Sequence, residues 1–154
     1  MKKKRAQQSD WQNQPIPKEH VVLSFQHEFS LKDYERLQQG VIPEQMEDKW
    51  FIYFEDNKLF CHRSWTGNCH YVVEFEVSEK NSQIVKVTVN RDKTQYKETD
   101  DKWDSEFVVY LINLMLLGKD TPYPEKKGVN AETSVLQQWS QVGRAMLGDD
   151  TEES

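Results

Sequence analysis

Between residues 49 and 90 apolar side chains alternate with others in four runs separated by three turns, a pattern that an antiparallel meander satisfies and a helical bundle does not. Residues 49–55 and 58–64 flank Asp56-Asn57, a pair that tolerates positive φ and suits a two-residue hairpin. Trp65-Thr66-Gly67-Asn68 leads into a run at 69–77, and residues 78–82 turn into a run at 83–90.

The turns set an expected register. Glu55 opposite Lys58 pairs Phe51 with His62 and Tyr53 with Phe60. Ser64 opposite Cys69 pairs His62 with Tyr71, and Val77 opposite Gln83 pairs Phe75 with Val85. The expected core face then holds Phe51, Tyr53, Phe60, Tyr71, Val73, Phe75, Val77, Val85, Val87 and Val89. The other face grades from Trp50, Ile52, Phe54, Leu59 and Cys61 to Arg63, His70, Glu74, Glu76 and Lys86.

The flanks extend this sheet. Val21, Leu23, Phe25, His27 and Phe29 alternate and predict one more strand over 20–29. Ser30 predicts the N-cap of a helix over 31–39 that ends at Gly40. Asp104 or Ser105 predicts the cap of a second helix over 106–117, closed by Gly118, although Phe107-Val108-Val109-Tyr110 also has strand propensity. Asn130 predicts the cap of a third helix with Val135, Trp139, Val142 and Met146 on one side, ended by Gly148. The predicted fold is α+β: a mostly antiparallel sheet of about five strands with helices packed on one face.

At 154 residues and 36% apolar content the chain suits one folded domain, expected over 19–148. Residues 1–18 read as a flexible basic leader and 149–154 as an acidic tail, so deletion of residues 2–16 is expected to change nothing. Four basic residues in 1–5 and four acidic ones in 149–154 cancel, which leaves the net charge of −6 on the body. An acidic body argues against nucleic acid as partner, and Lys2-Lys3-Lys4-Arg5 reads as a solvated terminus in preference to a nucleic-acid arm. No run is apolar for long enough to imply a membrane span or a secretory signal, and the expected location is the cytoplasm. Cys61 and Cys69 read as buried thiols, with a disulfide as the alternative. The four histidines and two cysteines lack ligand spacing, so no metal and no cofactor is expected.

Chemistry concentrates at one end of the predicted sheet. The register brings Arg63 beside Trp50 and opposite His70, where Asp48 enters and the Trp65-Thr66-Gly67 turn leaves. Arg63 offers a planar fork of donors for phosphate or carboxylate. Trp50 and Trp65 can stack on a ring. Ser64, Thr66 and the backbone at Gly67 can hold further oxygens. Asp48 and His70 are the candidates for acid/base work, should there be turnover. The plainer alternative pairs Arg63 with Glu74 or Asp48 and uses the tryptophans as core. His62 reads as a buried structural histidine.

The stretch Asp48-Lys49-Trp50-Phe51-Ile52-Tyr53-Phe54-Glu55-Asp56, followed by His62-Arg63-Ser64-Trp65-Thr66-Gly67, resembles a group of uncharacterised, mainly bacterial proteins that share such a hairpin. Some of these stand beside or are fused to macro-type ADP-ribose-binding domains. The resemblance covers the central third of the chain and implies a link to ADP-ribose or NAD-derived metabolites; it brings no established catalytic residues.

Two functions follow as expectations. One is the binding, with or without processing, of a small anionic or nucleotide-like ligand. The other is a non-catalytic protein-interaction module of immunity or adaptor type that uses the outer sheet face. Whether the chain is an enzyme, and its oligomeric state, stay open.

Overall fold

Asp56 and Asn57 both adopt positive φ, 54° and 62°, the geometry whose twist matches a two-residue hairpin. The turn sets β3 (Trp50–Glu55) against β4 (Lys58–Arg63) with Glu55 opposite Lys58, Tyr53 opposite Phe60 and Phe51 opposite His62, as the sequence predicts. The computed structural model describes residues 5–124. The leader's first four residues, the helix predicted from Asn130 and the acidic tail lie outside the described residues.

The remaining strands are β1 (His20–Leu23), β2 (His27–Ser30), β5 (Cys69–Val77) and β6 (Asn81–Asn90). Among the described residues six strands form one antiparallel sheet in the order β1-β6-β5-β4-β3, with β2 also paired to β6. The fold is α+β, with helices α1 (Leu31–Leu37) and α2 (Asp101–Leu111) both contributing to the main core. Ser30 caps α1 as predicted, its hydroxyl accepting the Asp33 N–H at 3.0 Å.

The strand predicted over 20–29 divides in two. Leu23 pairs with Val87 and His27 with Ile84, so three residues face two and the ladder breaks. The same irregularity leaves Val85 unmatched between Glu74↔Lys86 and Phe75↔Ile84. Ile84 therefore takes the core position expected for Val85, and alternation resumes beyond the bulge.

A second bulge decides which face of β3 and β4 is the core. Cys61 pairs with Tyr71 and His62 with Cys69, so β4 is displaced by one residue from the expected register and His70 is extra. Tyr71, Val73 and Phe75 thus share their face with Cys61, Leu59, Ile52 and Trp50, and α1 and α2 cover it. Phe51 and Tyr53 form a separate buried cluster with Ala6 on the reverse, against Phe60 and Ile42. The predicted core face of β3–β4 is the reverse face, and the predicted outer face lies beneath the helices. Both faces of this hairpin are apolar, so a one-residue slip left no polar side chain in the wrong place.

Residues 5–14 do not lead in freely. Ala6 donates its N–H to the Gln39 carbonyl at 2.8 Å and is buried. Gly40 (φ 71°) allows this approach, because a Cβ there would lie 2.2 Å from the Ile52 carbonyl oxygen and 2.9 Å from Ala6 Cβ. The Gln14 N–H bonds the Gly67 carbonyl at 2.8 Å.

Helix α2 begins five residues before the predicted start. Asp100 caps it, accepting the Trp103 N–H at 3.0 Å, and Asp104 lies inside the helix with no exposure. The helix continues as one π turn, Ile112–Leu116, to Gly118. Asp104 turns inward because partners meet it there: Arg91 Nη2 at 2.6 Å, Tyr96 Oη at 2.5 Å and Tyr71 Oη at 3.0 Å. Apolar periodicity could not reveal a buried carboxylate in the first turn.

Candidate binding cleft

Arg63 ends β4, and its backbone closes the following turn: the Gly67 N–H donates to the Arg63 carbonyl at 2.8 Å, and the Arg63 N–H to Asn68 at 2.9 Å. Gly67 sits at φ 78°, which glycine adopts without the penalty a Cβ brings. Across from this turn stands the loop of residues 91–100. Asn90 ties that loop down, its side-chain amide donating to the Cys69 carbonyl at 2.8 Å and to Gln95 Oε1 at 3.0 Å. Asp104 holds the Tyr96 phenol from the other side. Between turn and loop lies a cleft of ≈ 300 Å³ lined by Lys49, Arg63, Trp65, Thr66, His70, Gln95, Tyr96 and Lys97.

Of the residues the sequence singled out, Arg63, Trp65, Thr66 and His70 reach this cleft. The Arg63 guanidinium lies 4.9 Å from the Trp50 ring centroid. Burial draws it below its ordinary pKa, with Tyr71 and Tyr96 acting the other way. Trp65 is 61% exposed, and its indole N–H donates to the Met46 carbonyl at 2.7 Å. Thr66 Oγ1 accepts the Asn68 N–H at 3.1 Å.

Four other expected site residues serve the frame. Trp50 has no exposed surface and stacks on Tyr71, so it has no face for a ligand. The Ser64 hydroxyl is buried and donates to the Asp48 carbonyl at 2.6 Å. Gly67 shapes the turn without lining the cleft. The Asp48 carboxylate accepts the Glu44 and Gln45 N–H groups at 2.9 and 3.2 Å and is not part of the lining, so it is not placed as an acid or base there. All four stand close to Arg63 along the chain or across the strands, but such nearness does not say whether a side chain opens to the cleft or is held in the frame.

His70 is placed by the bulge. It is 6% exposed, edge-on to Trp50 at 5.8 Å and 4.5 Å from the Tyr96 ring. Burial, then Arg63 and His62, lower its pKa to about 3. The ring is therefore neutral at physiological pH, which does not suit a general acid.

The sequence reading missed Lys49, Gln95, Tyr96 and Lys97 as site residues. Lys49 Nζ stands 3.9 Å from the Trp65 ring centroid, and burial together with Arg63 lowers its pKa. Its place beside Trp50 was a usable signal. Nothing local marked the 91–100 loop, which meets the turn only through the tertiary fold.

Among the described residues no group of His, Cys, Asp or Glu is arranged to hold a metal ion, and no helix is long and apolar enough to cross a membrane. Comparison with protein-family models, with curated proteins and with solved structures gives no match for this chain.

Proposed function

We propose that this domain binds a small anionic ligand of the phosphorylated or nucleotide-like class in the cleft between the β4–β5 turn and the 91–100 loop. One observation carries the reading. A chain of net charge −6 gathers Lys49, Arg63 and Lys97 around one cleft, with no carboxylate among its described lining residues. Three cations from three places in the chain repel one another, and an anion relieves that repulsion. Thr66 and Gln95 add neutral polar groups, and the exposed Trp65 offers a ring edge or face beside them.

The cleft lies at the lower end of the volume range typical for drug-sized ligands. It suits one sugar phosphate or mononucleotide unit, or the terminal unit of a larger molecule such as ADP-ribose. The resemblance of residues 48–67 to companions of macro-type domains supports including ADP-ribose in that class. The commitment of Asp48 to its own loop favours binding over turnover.

Thermal denaturation of the full chain with millimolar inorganic phosphate, ribose 5-phosphate, AMP and ADP-ribose tests the reading. A rise in melting temperature with at least one of them, abolished by Lys49→Gln with Lys97→Gln, is the expected result. No rise with any of the four would overturn it.

A further inference from the structure

Trp50 and Trp103 are buried, and each stacks on a neighbouring ring, Tyr71 and Phe107 respectively. Trp65 does neither. It is 61% exposed, and among the described residues no aromatic ring packs on it. Met46, whose carbonyl the indole bonds, is 75% exposed. The apolar surface there is a patch and not a single scattered side chain, which marks it as a place where something binds.

The ring is nevertheless held in one position. Its N–H bonds the Met46 carbonyl at 2.7 Å, Gln12 Nε2 bonds the Trp65 carbonyl at 3.0 Å, and Lys49 Nζ lies 3.9 Å from the ring centroid. With the N–H edge bonded and one face under Lys49, the exposure that remains belongs largely to the opposite face. A flat surface already fixed loses little rotamer freedom when a second ring settles on it. Trp65 also lines the cleft, so this ring stands at the rim of the space around which Lys49, Arg63 and Lys97 gather.

Resting on the anion-binding reading above, we infer that the ligand is a nucleotide, whose base stacks on the open face of Trp65 while its phosphate meets the cations of the cleft. The two features call for one molecule that carries an anion and a flat ring joined by a short polar spacer, and phosphate, base and ribose supply these. A stack reads the face of a base and not its edges, so Trp65 selects for the presence of a base and not for which base it is. A sugar phosphate satisfies the cations and leaves the indole bare.

Calorimetric titration of the full chain with AMP, ribose 5-phosphate and inorganic phosphate tests the inference, since the first two share their anion and sugar and differ by the base. AMP should bind about tenfold more tightly than ribose 5-phosphate. Trp65→Ala should bring AMP down to the affinity of ribose 5-phosphate and leave ribose 5-phosphate unchanged. In the wild-type chain, proton NMR with AMP bound should show through-space contacts between the adenine and the Trp65 indole. Equal affinity for AMP and ribose 5-phosphate, a preference that survives Trp65→Ala, equal loss of both ligands in that variant, or absence of adenine–indole contacts would each overturn the role of Trp65. Dimerisation of the ligand-free chain that Trp65→Ala abolishes would overturn it too, because the ring would then be covered by a second copy. Failure of all three phosphates to bind would instead remove the anion-binding reading beneath it.

Discussion

The Trp11 indole N–H donates to the Ser64 carbonyl at 2.7 Å, across fifty-three residues of sequence. Gln12 Nε2 reaches the same carbonyl and that of Trp65, both at 3.0 Å, and Gln14 holds Gly67. The N-terminal segment thus braces the turn that carries Trp65 and Thr66 into the cleft. Deletion of residues 2–14 is expected to destabilise the domain by on the order of 2 kcal/mol or more, through lost hydrogen bonds and the partly uncovered Phe51 and Tyr53. Urea melts measure this, and ligand affinity should fall with it. An unchanged midpoint would show that the segment is not a brace.

Gly67→Ala is expected to destabilise for two separate reasons. The residue holds φ at 78°, and an added Cβ would lie 3.2 Å from the Gln12 carbonyl carbon and oxygen. The backbone conformation alone costs about 1–2 kcal/mol for a residue with a Cβ. Thermal melts should show the loss, and combining it with the N-terminal deletion should give less than the sum, because the contact with Gln12 is then gone.

Asp104→Ala should be among the most damaging single changes in the described residues. Burial pushes the Asp104 carboxyl upward, while the bonds from Tyr96 and Arg91 pull it back. Removing it takes the acceptor from the buried Tyr71 and Tyr96 phenols and leaves Arg91 only Asp101 and the Asn90 and Glu98 carbonyls. Each buried polar group left unpaired costs about 1–3 kcal/mol. Loosening of Tyr96 should also weaken ligand binding, measurable by titration at a temperature where the variant is still folded.

Acid should destabilise the domain well above the range where carboxylates titrate. Burial lowers His62 to about 4, against the opposing pull of the Gln14 and Phe60 carbonyls, and lowers His70 to about 3 with help from Arg63 and His62. In the unfolded chain each imidazole takes its proton near pH 6.5, the ordinary value. Stability present above pH 6.5 is therefore lost as the pH falls toward 4 for His62 and 3 for His70. The expected slope is roughly 1 kcal/mol per pH unit for each histidine. Denaturant melts between pH 7 and 5 read it, and His70→Phe should lower the slope by about half.

Much of the architecture was legible from local rules. The Asp56-Asn57 pair determined the β3–β4 register because its positive φ values admit one hairpin geometry, and Ser30 determined where α1 starts because a hydroxyl there satisfies an orphan N–H. Arg63, Trp65 and Thr66 come together because they end β4 and form the turn after it, whereas His70 joins them through a bulge that the expected register did not contain. Tertiary structure alone decided the rest. Trp50-Phe51-Ile52-Tyr53 is apolar at every position, so no local preference says which side the helices cover; the bulge at His70 and the packing of α1 and α2 settled it. Tyr96 is held at the cleft by Asp104, a carboxylate whose burial its partners Arg91, Tyr96 and Tyr71 make tolerable, and Lys97 follows Tyr96 in the same loop. Hydrogen-bond geometry within a turn is encoded by neighbours in sequence, whereas the choice between two apolar faces and the burial of a charge depend on groups that only the folded chain brings together.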